Sequence, residues 1–250
     1  VLLFLIQNKI LTSDIYNLLL AQDENTKYYF YDEISTYISS PENLKNKMTS
    51  KYPHIFDYYN EKRNDGENDS YICTLIRNDL VDEFIQFVTK ESYSLRSIIP
   101  NSPFETNQFL IKNPKTTLIE YAAFCGSIQI FKYLQKNKAT INPIKIWLYA
   151  IHGNDEEIIQ ILKENKNLKE NNNQPPFYSY ECIKESVKCH NDNMLNYLKN
   201  NYNIDVIDES IFSYCFQYYN FLYFPKEIDN IYYFYYACKY DHYTIVEYFL

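Results

Sequence analysis

Cysteine and histidine are the side chains in this chain that could hold a metal or attack an electrophile, so their spacing comes first. The six cysteines stand at 73, 125, 182, 189, 215 and 238, with no C-x-x-C among them. They are scattered singly, mostly beside apolar helix positions, and read as buried free thiols in a reducing compartment. Cys182, Cys189 and His190 come nearest to metal spacing. The two cysteines are seven apart and share a helix face, and the histidine follows at a turn. A structural zinc wants four ligands, and no other cysteine is close in sequence, so no metal site is expected.

The remaining candidates have structural explanations. Of His54, His152, His190 and His242, the last three fall at or beside turns. Glu156-Glu157 and Asp82-Glu83 begin helices, where carboxylates favour the positive end of the dipole. Trp147 is expected to pack between helices. The chain has only three glycines, at 66, 126 and 153, so neither G-x-G-x-x-G nor a P-loop can exist. Nor is there a nucleophile elbow, a metalloprotease helix or a kinase set. The expectation is a protein that is not an enzyme, with no catalytic residue and no cofactor.

Charge and hydropathy narrow the partners. A net charge of −8 argues against nucleic acid, which calls for a basic stripe; the densest basic run, Lys45–Lys51, is a solvated face. Val1–Ile6 is apolar but far shorter than the ~20 residues of a spanning helix, and Phe212–Phe224 is interrupted by Ser213, Gln217 and Asn220. No membrane insertion and an intracellular, cytoplasmic protein are expected. The chain opens without Met and closes inside a helix, so it reads as a segment of a longer one.

The elements that must position these side chains are organised around Thr117–Asn137. Ala122 and Ala123 sit in a first helix where a neighbour comes close. Gly126 ends it, because glycine adopts the left-handed conformation without penalty. Ser127 is placed to cap a second helix, in which Ile128, Phe131 and Leu134 mark an apolar face. The pattern recurs at Tyr149–Leu162, Glu185–Leu198 and Tyr236–Leu250, and more weakly at Leu75–Val88. The turn residues Gly126, Asn154, His190 and Asp241 are 28, 36 and 51 apart; the long step leaves room for an eroded unit whose helix is Glu209–Tyr219. Periods of this size signal stacked helical units.

These residues resemble the ankyrin-repeat pattern, in the divergent form that protist proteomes carry as a domain family of unknown function. Thr117, Ile119, Ala122, Ala123, Gly126, Ile130 and Leu134 match its positions, as do Ala237, His242, Ile245, Val246 and Phe249. Leu118 stands where the pattern has proline, and Glu120 where it has the histidine that ties the turn. The resemblance, over about residues 70–250, implies an all-α, ankyrin-like α-solenoid of helix-turn-helix repeats behind an N-terminal helical region. It implies protein–protein recognition as the function, by an unknown partner and unknown contact residues; the alternative is a substrate-recruiting segment of a larger enzyme or adaptor. Tyr232, Tyr233 and Tyr235 are expected to divide between core and binding face.

The N-terminal helical region is set at 1–65 and the repeat domain at 66–250. Repeat cores fall near 72–90, 117–137, 144–164, 178–200 and 231–250, with the eroded unit at 207–224. Before the repeats, helices are expected at Leu2–Ile6 and Ile15–Ala21, capped by Thr12–Asp14. Tyr28, Tyr31, Ile34, Tyr37 and Ile38 should share one face, and Ser40-Pro41 should start a helix. Glu61–Ser70 reads as a linker. Ser94–Pro114, with three prolines, reads as an irregular connection with a helical turn near Glu105–Ile111 and a partner-contacting insert at Ser97–Phe109. Asn165–Pro176 reads as an exposed loop.

Overall fold

The computed structural model describes residues 17, 19, 21, 23–143, 145–165, 179–202, 209–221 and 230–249. The expected Leu2–Ile6 helix and the Thr12–Asp14 cap that follows it lie outside them, as do most of Ile15–Ala21 and of the Asn165–Pro176 loop. All sixteen regular elements among the described residues are α-helices. The chain is all-α over these residues, and none of the helices is long and apolar enough to cross a membrane.

The chain divides into two compact units. One takes the residues up to Thr74 together with 98–116, the other 75–97 and 117–250.

The first unit holds α1 (Glu24–Tyr29), α2 (Tyr31–Ile34), α3 (Pro41–Lys51), α4 (Tyr59–Asp65) and α7 (Gln108–Lys112). Asp23 caps α1, accepting the Asn25 and Thr26 N–H groups at 2.8 and 3.1 Å. Tyr28, Met48, Ile55, Tyr59 and Phe104 form one buried cluster, and Leu19, Phe30 and Ile34 another. The buried Tyr59 hydroxyl lies 2.6 Å from the Tyr28 carbonyl and accepts the Tyr31 N–H at 3.2 Å, tying α4 to the α1–α2 corner.

Three expectations for this unit change. Tyr37 does not share the buried face of Tyr28 and Ile34; the chain leaves α2 at Ile34, and Tyr37 is exposed. Ser40 precedes the helix that Pro41 opens, but its side chain makes no capping bond. Glu61–Ser70 is not an open linker. Its first half continues α4, Gly66 ends that helix at φ +68°, and Asn68 is buried. The reason lies in Ser97–Phe109. Thr106 donates both its N–H and its hydroxyl to the Gly66 carbonyl, at 3.1 and 2.7 Å, and Asn68 donates to the Pro100 carbonyl at 2.7 Å. With Phe104 and Phe109 also buried, residues 98–109 are built into the first unit rather than projecting as a free insert.

The second unit is a succession of helix pairs. α5 (Tyr71–Arg77), whose last residues open it, is followed by α6 (Val81–Lys90). Then come α8 (Leu118–Cys125) with α9 (Ile128–Lys136), α10 (Lys145–Gly153) with α11 (Glu156–Glu164), and α12 (Ser179–Lys188) with α13 (Asp192–Tyr202). α14 (Glu209–Gln217) precedes the last pair, α15 (Asn230–Lys239) and α16 (Tyr243–Phe249). First helices pack in order, α8 on α10, α10 on α12, α12 on α14 and α14 on α15. Second helices do the same, α6 on α9 and α9 on α11.

One backbone device closes each first helix. Asp79, Gly126, Asn154, His190, Tyr219 and Asp241 all have positive φ, between 49° and 71°. This is the left-handed region in which a helix turns back on itself. Within the 51-residue step the helix expected over Glu209–Tyr219 ends at Gln217, and Tyr219 takes the same left-handed conformation.

After four of these six turns the next residue reaches back to the preceding helices, whereas Asp155, after Asn154, caps its own helix by accepting the Ile158 N–H at 2.9 Å. Ser127 donates to the Ile76 carbonyl at 2.5 Å, Asn191 to Ile151 at 3.3 Å, Asn220 to Val187 at 3.0 Å and His242 to Phe216 at 2.7 Å. In all four cases the acceptor stands three residues before the preceding pair's turn residue. These donors are buried, and an unmade bond at such a position costs about 1–3 kcal/mol.

Ser127 is therefore not the side-chain cap of α9. Its hydroxyl serves the Ile76 carbonyl, and Asp79 takes over the capping. The two carboxylate oxygens of Asp79 accept the Gln129 and Ile130 N–H groups, each at 2.9 Å. Glu120 also has a definite role. It accepts the Thr117 N–H at 2.8 Å while the Thr117 hydroxyl accepts the Glu120 N–H, a reciprocal capping box that holds the start of α8.

Candidate functional site

Successive first helices contribute rigid and charged side chains to one continuous seam. Arg77 of α5 donates to the Tyr121 hydroxyl on α8 at 3.0 Å. Tyr121 stacks on Phe124, with ring centres 6.2 Å apart, and Phe124 meets the His152 ring of α10 at 5.3 Å. His152 bonds Glu185 of α12 through Nε2 at 2.5 Å, and Lys188 donates to the same oxygen at 2.8 Å. The Lys188 ammonium lies 6.0 Å from the Tyr218 ring, which in turn meets Tyr214 of α14 at 5.7 Å. Lys184 adds a parallel strand of contacts, 4.4 Å from the Tyr180 ring and 5.5 Å from Tyr214. Tyr121 is buried; Phe124, His152, Glu185, Lys188, Tyr214 and Tyr218 are half-buried.

The charged centre of this seam is His152, Glu185 and Cys189. Burial raises the Glu185 carboxyl, but the bonds from His152 and Lys188 outweigh it and hold the group below its ordinary value. Lys188 moves the other way: burial pulls it down, the Glu185 bond raises it more. An ionised Glu185 accepts, so Nε2 of His152 carries a hydrogen. Nδ1 faces Cys189 Sγ at 3.5 Å, and Sγ is 3.9 Å from the Glu185 oxygen. Burial, then Glu185, pushes the Cys189 thiol up to about 12. The order Glu–His–Cys is one that could activate a nucleophile, while burial and the Glu185 carboxylate disfavour the thiolate form of Cys189.

The lowered Glu185 value has a consequence for stability. A carboxyl whose folded value lies below its unfolded one stabilises the fold above the unfolded pKa and loses that contribution as pH falls through the folded one. Acid titration of the native chain should therefore show a stability loss below the ordinary carboxylate range that Glu185→Gln lacks. Melting curves at stepped pH would measure it; parallel acid profiles for both chains would refute it.

The sequence candidates divide. Cys182 is buried, its thiol raised to about 12 by burial and then by Glu181 and Glu185, and it does not join Cys189. His190 turns away to the Tyr218 carbonyl at 2.8 Å. His242 serves the Phe216 carbonyl, and His54 faces Asp57 at 3.1 Å on the surface. Cys73 and Cys215 are buried as expected, whereas Cys238 is exposed. Trp147 is half-buried. On α15, Tyr233 packs on Phe212 at 4.9 Å while Tyr232 and Tyr235 are exposed. Glu185 was missed, although Glu185 and Cys189 stand one helical turn apart. Their meeting with His152 depends on how two pairs stack, which local spacing does not encode.

Comparison of the chain with protein-family models, with curated proteins and with solved structures finds no match.

Proposed function

We propose that the second unit is an ankyrin-like solenoid and that the chain is a non-enzymatic scaffold for protein–protein recognition, with the seam across its first helices as the contact face. The observation that carries this reading is the seam itself, in which neighbouring first helices each add a half-buried aromatic or charged group to one surface. Side chains already held by stacking and hydrogen bonds lose little freedom when a partner lands on them, and tyrosine offers large area with two rotatable bonds. The solenoid reading is supported by the recurrent positive-φ turns and by the four side-chain bonds that run from a turn back to the preceding helices.

The test is affinity capture with the native chain as bait beside a Tyr214→Ala/Tyr218→Ala double variant of unchanged melting temperature. A partner bound by the native chain should be retained at least tenfold less by the variant. Equal retention would remove the seam as the contact face.

A further inference from the structure

We infer that His152, Glu185 and Cys189 form a binding site for a borderline-soft divalent cation of the zinc class, clamping α10 to the C-terminal end of α12. Among the described residues these three bring one potential ligand atom each to within 4.8 Å of one another. The donor set is a thiol, an imidazole and a carboxylate, the three side-chain types that zinc takes.

The distances fit insertion of an ion. In a tetrahedral zinc site with Zn–S near 2.3 Å and Zn–N near 2.0–2.1 Å, sulfur and nitrogen stand about 3.5 Å apart. Cys189 Sγ and His152 Nδ1 are 3.5 Å apart. Sulfur and carboxylate oxygen would stand about 3.6 Å apart in the same geometry, against 3.9 Å between Sγ and Glu185 Oε1. Glu185 must leave Nε2 to reach the ion, a rotation of its own side chain, and its other partner, Lys188, is only half-buried and can turn to solvent. Three protein ligands leave a fourth position for water.

The proton count closes. Imidazole binds through a neutral nitrogen, Glu185 as a carboxylate and Cys189 as a thiolate, so binding releases the Cys189 thiol proton to solvent. The same carboxylate that keeps the thiol protonated in the ion-free protein becomes a ligand beside it once a cation is present.

Cobalt is the probe, because a cobalt–thiolate bond gives a near-ultraviolet charge-transfer band. Titrating the full chain, stripped with a chelator, with Co²⁺ should produce that band at one ion per chain, and Zn²⁺ should displace it. Cys189→Ser should abolish the band, and His152→Gln should weaken binding at least tenfold. Cys182→Ser should leave the band intact. A second readout guards against misfolding: Zn²⁺ should raise the melting temperature of the native chain and leave that of Cys189→Ser unchanged. No band in the native chain, or a band that survives Cys189→Ser, would overturn the site.

Discussion

Gly153→Ala will destabilise the second unit by about 3 kcal/mol, the upper end of what forcing an extra carbon into a packed interior costs. The sign is the informative part. Gly153 is the last residue of α10, and an alanine in a helix is ordinarily worth about 1 kcal/mol more than a glycine. Here a Cβ would lie 2.2 Å from the Ala123 carbonyl oxygen and 3.1 Å from the Gly126 nitrogen, both backbone atoms of the neighbouring pair. Neither can rotate aside, so α10 would have to lift from the end of α8. Gly126 is the control. It needs its φ of +71°, but a Cβ there meets nothing closer than 3.5 Å. Gly126→Ala should therefore cost only the left-handed penalty, about 1–2 kcal/mol, and Gly126→Asn less, since Asn154 already holds that conformation at its own turn. Chemical denaturation of the three variants would rank them. If Gly153→Ala proves as stable as the native chain, the close approach of α10 to α8 is wrong.

The same two glycines show what could be read in advance. Gly126 was legible because a helix end announces itself locally: small residues, a glycine, then a new apolar stripe. The helix pairs around it and the turns at Asn154, His190 and Asp241 follow from such local signals; Tyr219, expected as the end of a helix, is instead the left-handed residue beyond α14. Gly153 was not legible as a contact, because its reason is a carbonyl 30 residues away in sequence. Glu120 lay between these cases. Thr117-Leu118-Ile119-Glu120 has the spacing of a capping box, which makes the bond at this turn without the histidine of the repeat pattern. Asp79 rather than Ser127 caps α9 for a tertiary reason: the serine is buried beside the Ile76 carbonyl, so its hydroxyl goes there and the N–H groups of α9 turn to the aspartate. The seam and its His152–Glu185–Cys189 centre belong wholly to the stacking of pairs. The composition of the proline-rich stretch before α8 predicts a partner-contacting insert, but Thr106 and Asn68 tie residues 98–109 into the first unit.

Arg63→Ala should be the most damaging single change in that first unit, at about 3–5 kcal/mol, the cost of removing one partner from a buried ion pair. Arg63 is 7% exposed although it is charged. Its guanidinium pairs with Glu33 and lies 5.6 and 5.9 Å from the rings of Tyr29 and Tyr59. Burial alone would lower its basicity, but the Glu33 contact reverses this and raises it. Taking Arg63 away leaves Glu33 enclosed with Asp32 as its neighbour in sequence and one carboxylate oxygen, Oε2, already without a hydrogen-bond partner. It also strips two aromatic rings of their cation. A pair of this kind need not be a net stabiliser, because desolvation offsets much of the attraction, so the double variant separates the two effects. Arg63→Met with Glu33→Leu should recover most of the loss, whereas Arg63→Met alone should resemble Arg63→Ala. The measurement is a double-mutant cycle by denaturant unfolding, followed through the transition of the first unit. A single Arg63→Met variant as stable as the double one would show that Glu33 reaches water without its partner, and the pair would then be a surface contact rather than part of the core.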